Sequence, residues 1–177
     1  MAKIITLLFL IAIMVGAPIS TSEAQAGPAR LSFSKFQQRL NVISRTRKGV
    51  AAQNGIISAY AQFARFSPNQ AFALVRMATV QVNRVTPLAQ RASAIVRLSQ
   101  ATSSAFIGTG THDTSLIIST FTYLVSSVPP DSRDPALIRT IAQDAVAASV
   151  NTGGNQEESV EILQAIGGSA TGVIPTS

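Results

Sequence analysis

The chain predicts an all-α protein of six or seven short helices, arranged as an up-down bundle or a short helical-repeat array. Three observations carry that expectation. Apolar residues recur at spacings of three and four along most of the chain. Proline follows a polar residue at Ser67-Pro68, Thr86-Pro87 and Asp134-Pro135, the pattern of a helix start. Turn formers at Gly108-Thr109-Gly110, Pro129-Pro130 and Gly153-Gly154 separate the periodic stretches.

Residues 1–26 read as a secretory signal peptide. Lys3 precedes an apolar run over 4–15, and Ala24-Gln25-Ala26 places small side chains where a signal peptidase cuts, so the mature chain is expected to begin at Gly27. The run is short for a bilayer, which takes about 20 apolar residues in a helix, although an extension through Ala17 and Ile19 leaves an uncleaved anchor as the alternative. A single helical domain over 27–166 and a flexible tail over 167–177 complete the expected organisation. The predicted location is secreted or periplasmic.

The elements follow in order. Phe33, Phe36, Leu40 and Ile43 form one helical stripe within 31–45, with Ser34–Gln37 or Ser32 as cap. Lys35 and Arg39 lie beside that stripe, and Arg45, Arg47 and Lys48 cluster at its end. This cationic amphipathic helix is expected to pack on the domain rather than lie on a membrane. Ile56, Tyr60 and Phe63 mark a second helix over 50–66, despite the cost of Gly55. Ser67-Pro68-Asn69-Gln70 opens a third, carrying Ala71, Val75, Ala78, Val82 and Val85. Thr86-Pro87 opens a fourth with Ala92, Ile95 and Val96, ending before Gly108.

Thr111 or Asp113 caps a fifth helix containing Leu116, Ile117, Phe121, Leu124 and Val128, apolar on nearly every side and so expected at the centre. The β-branched and aromatic content of 115–128 leaves a strand as the alternative there. Asp134-Pro135 starts a sixth helix through Leu137, Ile141, Ala145 and Ala148. A short seventh follows Asn155, with Val160, Leu163 and Ile166 inward. Four tetrads beginning at Ala73, Ala94, Ser115 and Ala136 stand 21 residues apart, a spacing that one helix plus a turn would give if repeated.

Composition narrows function. Cysteine is absent, which excludes disulfides, thiolate metal sites, Cys nucleophiles and lipid on an N-terminal Cys. No Asn-x-Ser/Thr sequon occurs. Only 12% of residues are charged and 46% are apolar, so the surface is built largely from Ser, Thr, Gln and Asn. Charge is divided along the chain. Arg30, Lys35, Arg39, Arg45, Arg47, Lys48, Arg65, Arg76, Arg84, Arg91 and Arg97 face no acidic residue between 27 and 100. From 101 onward Arg133 and Arg139 meet Asp113, Asp131, Asp134, Asp144, Glu157, Glu158 and Glu161. A cationic half of this kind finds its counter-charge in its own acidic half, in another copy, or in an anionic polymer or membrane surface.

Three groups bear chemistry. His112, the one histidine, would need Asp113 and a hydroxyl to act as a general base, yet neighbours on a helix point apart, and a capping turn explains the segment. Glu157, Glu158 and Glu161 fit a helix N-terminus without a catalytic role. The arginines are the better candidates. Arg76 and Arg97 share a place in the 21-residue recurrence, with Arg84 and Arg91 flanking the turn between, so that the four could line one region. Few aromatics stand among them, which disfavours a stacking platform for single-stranded nucleic acid.

The sequence therefore predicts an exported, non-catalytic protein that acts by binding or assembly. Lys35, Arg39, Arg45, Arg47, Lys48, Arg76, Arg84, Arg91 and Arg97 are its expected contacts with an anionic envelope or matrix component or with the acidic half of another copy. No metal, catalytic residue or cofactor is expected. The rivals are a small secreted hydrolase using His112 or the Glu157, Glu158 and Glu161 cluster, and a membrane-active protein resting on 31–48.

Overall fold

The computed structural model describes residues 33–171, and the expected signal peptide and residues 172–177 lie outside them. Seven α-helices follow in order: α1 Phe33–Thr46, α2 Gly49–Phe66, α3 Ala71–Val85, α4 Leu88–Thr109, α5 Thr114–Ser127, α6 Pro135–Asn151 and α7 Gln156–Thr171. One-turn 3₁₀ segments, Pro68–Gln70 and Pro130–Ser132, precede α3 and α6. The described residues contain no strand, so 115–128 is helix, and the all-α expectation holds.

The helices make two rows. Every substantial contact joins a helix to its next or next-but-one neighbour: α2, α4 and α6 pack side by side in one row, and α1, α3, α5 and α7 form the other. This is the neighbour-only connectivity of a stacked helical array. The central place expected of α5 is shared with α4, the longest helix, and each packs against four others. One core runs between the rows, with Phe36, Tyr60, Leu74, Leu98, Phe106, Phe121, Leu124, Ile141 and Ile162 all but fully buried.

The 21-residue recurrence does not map onto equivalent positions. Its tetrads start at the third residue of α3, the seventh of α4 and the second of α5 and of α6. The array arises from alternating packing of helices of unequal length.

Caps explain several boundaries. Asp113 and Asp134 accept the backbone N–H groups of Leu116 and Leu137 at 2.9 and 2.7 Å, fixing the starts of α5 and α6. Gly110, at φ +63°, closes α4 with its N–H on the Ile107 carbonyl and the Thr111 N–H on that of Phe106. Helix α4 therefore runs through Gly108, past its expected end.

Other caps differ from expectation. Ser34 lies inside the first turn of α1, and Ser32, the other cap expected there, lies outside the described residues. Ser67 and Thr86 make no side-chain cap bonds; the Ser67 carbonyl instead accepts the Gln70 N–H at 2.9 Å. Helix α7 has a different register from the one expected. Ile162 and Ile166 are buried, while Val160 and Leu163 are 46% and 47% exposed. Helix α7 also continues through Gly167 and Gly168 to Thr171, into the expected tail, because Ala170 packs on the core.

Gly55 belongs where α1 crosses α2. A Cβ there would stand 2.9 Å from the Ile43 Cγ2 methyl and 3.1 Å from Arg47 Nη1. Alanine in an open helix gains about 1 kcal/mol over glycine, whereas overpacking a buried contact costs about 1–3 kcal/mol. Since Ile43 is buried in the core, the clash outweighs the propensity gain. Gly55→Ala is accordingly expected to lower the thermal midpoint; a raised midpoint would show that α1 rides freely over α2.

Candidate functional site

The apolar stripe of α1 packs Phe36, Leu40 and Ile43 into the domain and leaves its cations outside. Lys35, Arg39, Arg45, Arg47 and Lys48 are all exposed. Two grooves flank this helix, each of about 470 Å³. The first lies between α1 and α3 and brings Arg76 and Arg84 together with Gln37, Gln81 and Tyr123 over a floor of Leu40, Met77 and Val80. The second lies between α1 and α2, with Arg39, Arg47 and Asn54 around Val42 and Gly55. No carboxylate lines either groove.

The four arginines expected in one region are divided. Arg76 and Arg84 share the first groove because eight residues of helix, roughly two turns, return a side chain near the same face. Arg97 turns to the α2 side, where its Nη2 donates to Asn54 Oδ1 at 2.6 Å beside the second groove. Arg91 donates from Nε to the Thr86 carbonyl at 3.2 Å and ties the α3–α4 turn.

Arg76 has aromatic company that sequence reasoning missed. Its guanidinium carbon stands 5.7 Å from the Phe72 ring centre and 5.8 Å from that of Tyr123, whose rings meet edge to face. Phe72, four residues ahead on the same helix, was visible as a signal; Tyr123 comes from α5 and was not.

Among the described residues no arginine forms an ion pair with a carboxylate. The pair present joins His112 Nε2 to Glu158 Oε1 at 3.2 Å. It is the hub of a latch between the α4–α5 turn and the α6–α7 turn. Thr114 Oγ1 donates to Glu158 Oε1 at 3.0 Å, and the Asn155 N–H donates to Glu158 Oε2 at 2.9 Å. Asn155 Oδ1 accepts the Glu158 N–H at 3.0 Å in return, a reciprocal capping box that starts α7. The Asn155 N–H chiefly holds the Glu158 carboxyl below its ordinary range. Desolvation opposes this, and the Thr114 hydroxyl and His112 add to it. Gly154 has no room for a side chain, since a Cβ would run into Ser149 Oγ and stand 2.9 Å from the Ser149 carbonyl oxygen.

His112 thus meets one of the three glutamates, while Glu157 and Glu161 stay exposed on the outer side of α7. Asp113 is occupied as the α5 cap and does not orient the imidazole. On the other side, His112 Nδ1 lies 3.4 Å from Thr152 Oγ1, whose own proton is directed at the Ala148 and Ser149 carbonyls. Both ring nitrogens therefore face acceptors.

Asp144 is half-buried between α4 and α6. The Ser99 hydroxyl donates to its Oδ2. Burial pushes its carboxyl up, with the Ser99 bond opposing.

Comparison with protein-family models, curated proteins and solved structures finds no match.

The latch gives a pH signature. Because the Glu158 carboxyl titrates lower in the folded chain than unfolded, its contribution is present above the ordinary carboxylate range and lost as pH falls through the depressed value. The melting midpoint of Glu158→Gln is expected to lie below wild type at neutral pH and to merge with it in strong acid. A gap between the two curves that is constant with pH would contradict this assignment.

Proposed function

We propose that this is an exported, non-catalytic binding protein whose arginine-bearing helices engage an anionic component of an envelope or matrix. The supporting observation is the absence, among the described residues, of any carboxylate paired with an arginine, together with the gathering of guanidiniums in grooves beside α1.

The chemistry follows from the side chains. A guanidinium offers a planar fork of donors that matches phosphate, sulfate or carboxylate oxygens. Arg76, seated against Phe72 and Tyr123, is held in place before a ligand arrives, so less side-chain freedom is lost on binding. Leu40, Met77 and Val80 give the groove an apolar floor, suited to the uncharged frame of an anionic chain such as the ring faces of an acidic polysaccharide. Its volume is within the ordinary range of ligand sites, about 300–1,000 Å³. The buried stripe of α1 disfavours the membrane-active alternative, since Phe36, Leu40 and Ile43 are turned away from any bilayer. Among the described residues no helix is long and apolar enough to cross a membrane.

Heparin is a suitable probe, being a sulfated and carboxylated polymer. The wild-type chain is expected to bind it at low salt and to elute as salt displaces it. Arg76→Ala/Arg84→Ala should elute at distinctly lower salt while still melting as one cooperative folded chain, because both side chains are exposed. Equal elution of variant and wild type, or no retention of either, would contradict the reading.

A further inference from the structure

The two ends of the helical array are unlike its middle. The inner helices α3, α4 and α5 each pack against four neighbours, whereas α1 packs chiefly on α2 and α3, and α7 on α5 and α6. In stacked helical arrays the outermost units need a polar cap or a partner, because each inner unit buries its apolar face on the next. Neither end here is fully polar. At the first, Val42 and Val50 are 56% and 55% exposed, and Val42 lies in the α1–α2 groove with Arg39 and Arg47. At the last, Val160 shares the outer side of α7 with the exposed carboxylates of Glu157 and Glu161, three residues after the first and next to the second, and Leu163 is exposed on the flank.

These faces are complementary. One sets guanidiniums around apolar side chains and has no carboxylate lining it; the other sets carboxylates beside apolar side chains, and among the described residues no cation pairs with them. Building on the proposed engagement of an anionic partner, we infer that the α1–α2 groove receives α7 of a second copy. Glu157 and Glu161 meet Arg39 and Arg47, and Val160 between them covers Val42.

Arg39 lies within α1 and Arg47 just past its end, eight residues on, while the two glutamates stand four residues apart on α7, about 6 Å along its axis. The length of the arginine side chain makes up the difference. The contact is an amphipathic helix laid in a groove. It is also heterologous: each copy offers a groove at one end and a stripe at the other, so copies add head to tail or close into a ring. The first groove, with Arg76 and Arg84, lies on the other flank of α1 and stays open to an external anion.

Sedimentation velocity of the full chain as isolated tests this. In about 0.02 M salt the mass is expected to rise with protein concentration, and in about 0.5 M salt to fall to that of one chain. Arg39→Glu/Arg47→Glu and Glu157→Arg/Glu161→Arg should each remain monomeric in low salt while melting as cooperatively as wild type, since all four residues are exposed. The chain carrying all four substitutions should associate again, with the charges exchanged across the contact. A wild-type chain monomeric at every concentration, association indifferent to salt, or a quadruple variant that stays monomeric would overturn the inference. Heparin separates the two failures. A monomeric wild type that still binds heparin through Arg76 and Arg84 removes the stacking alone, whereas one that also fails to bind removes the anion-binding reading with it.

Discussion

Packing between near neighbours only is the constraint on which the rest of this structure depends. In a bundle closed around one axis, the last helix could fold back onto the first and bring Glu157, Glu158 and Glu161 to the arginines of α1 and α3. The two-row array prevents this, because α7 packs on α5 and α6 while α1 packs on α2 and α3. A division of charge along the sequence thereby becomes a division of charge in space. The acids that do come near α4 are used otherwise: Asp113 caps α5, and Asp144 takes a hydroxyl from Ser99. Among the described arginines, Arg91 and Arg133 go to carbonyls, Arg97 to Asn54 and Arg76 to aromatic rings.

The same sequence economy explains how a chain with so few charges stays helical. Serine and threonine inside helices compete for backbone groups and weaken the helix. Here many of them return their protons to the carbonyl four residues back, as Ser44 does to Leu40, Thr102 to Leu98, Thr109 to Ala105, Ser119 to Ser115 and Thr140 to Ala136. These five hydroxyls are satisfied within their own helix, so α4 can bury Thr102 at the core beside Tyr60, whose phenol meets it at 2.9 Å, whereas the buried hydroxyls of Thr79, Thr86, Thr120, Thr122 and Ser149 have no hydrogen-bond partner. Burial pushes the Tyr60 hydroxyl well up, with the Thr102 bond opposing.

Local order was legible in the residues to the extent that local physics sets it. The stripe of α1, the caps at Asp113 and Asp134, and the interruption at Pro129-Pro130 act within a few residues and are visible without a structure. What the sequence hid depends on contacts across the fold. In α7, Val160, Leu163 and Ile166 make as good a stripe on paper as Ile162 and Ile166. The choice is made where Glu158 is pinned by Asn155, Thr114 and His112. Gly55 looked like a cost to α2 until Ile43 was found against it. Arg76 looked like one cation among many, and only the arrival of Tyr123 from α5 sets it apart. Arg97 seemed equivalent to Arg76 in sequence and reaches a different groove because α3 and α4 belong to different rows.

The central claim is that, among the described residues, the arginines of the first four helices are not paired with carboxylates, and the most direct measurement is the thermal midpoint of dilute chain as sodium chloride rises from about 0.01 to about 0.3 M. Screening weakens repulsion among like charges and weakens attraction within ion pairs, so the sign of the change reports which one dominates. The account predicts a midpoint that climbs with salt. A midpoint that falls would mean that arginine–carboxylate pairs hold the fold together, and the bare cationic surface from which binding and stacking are argued would not exist.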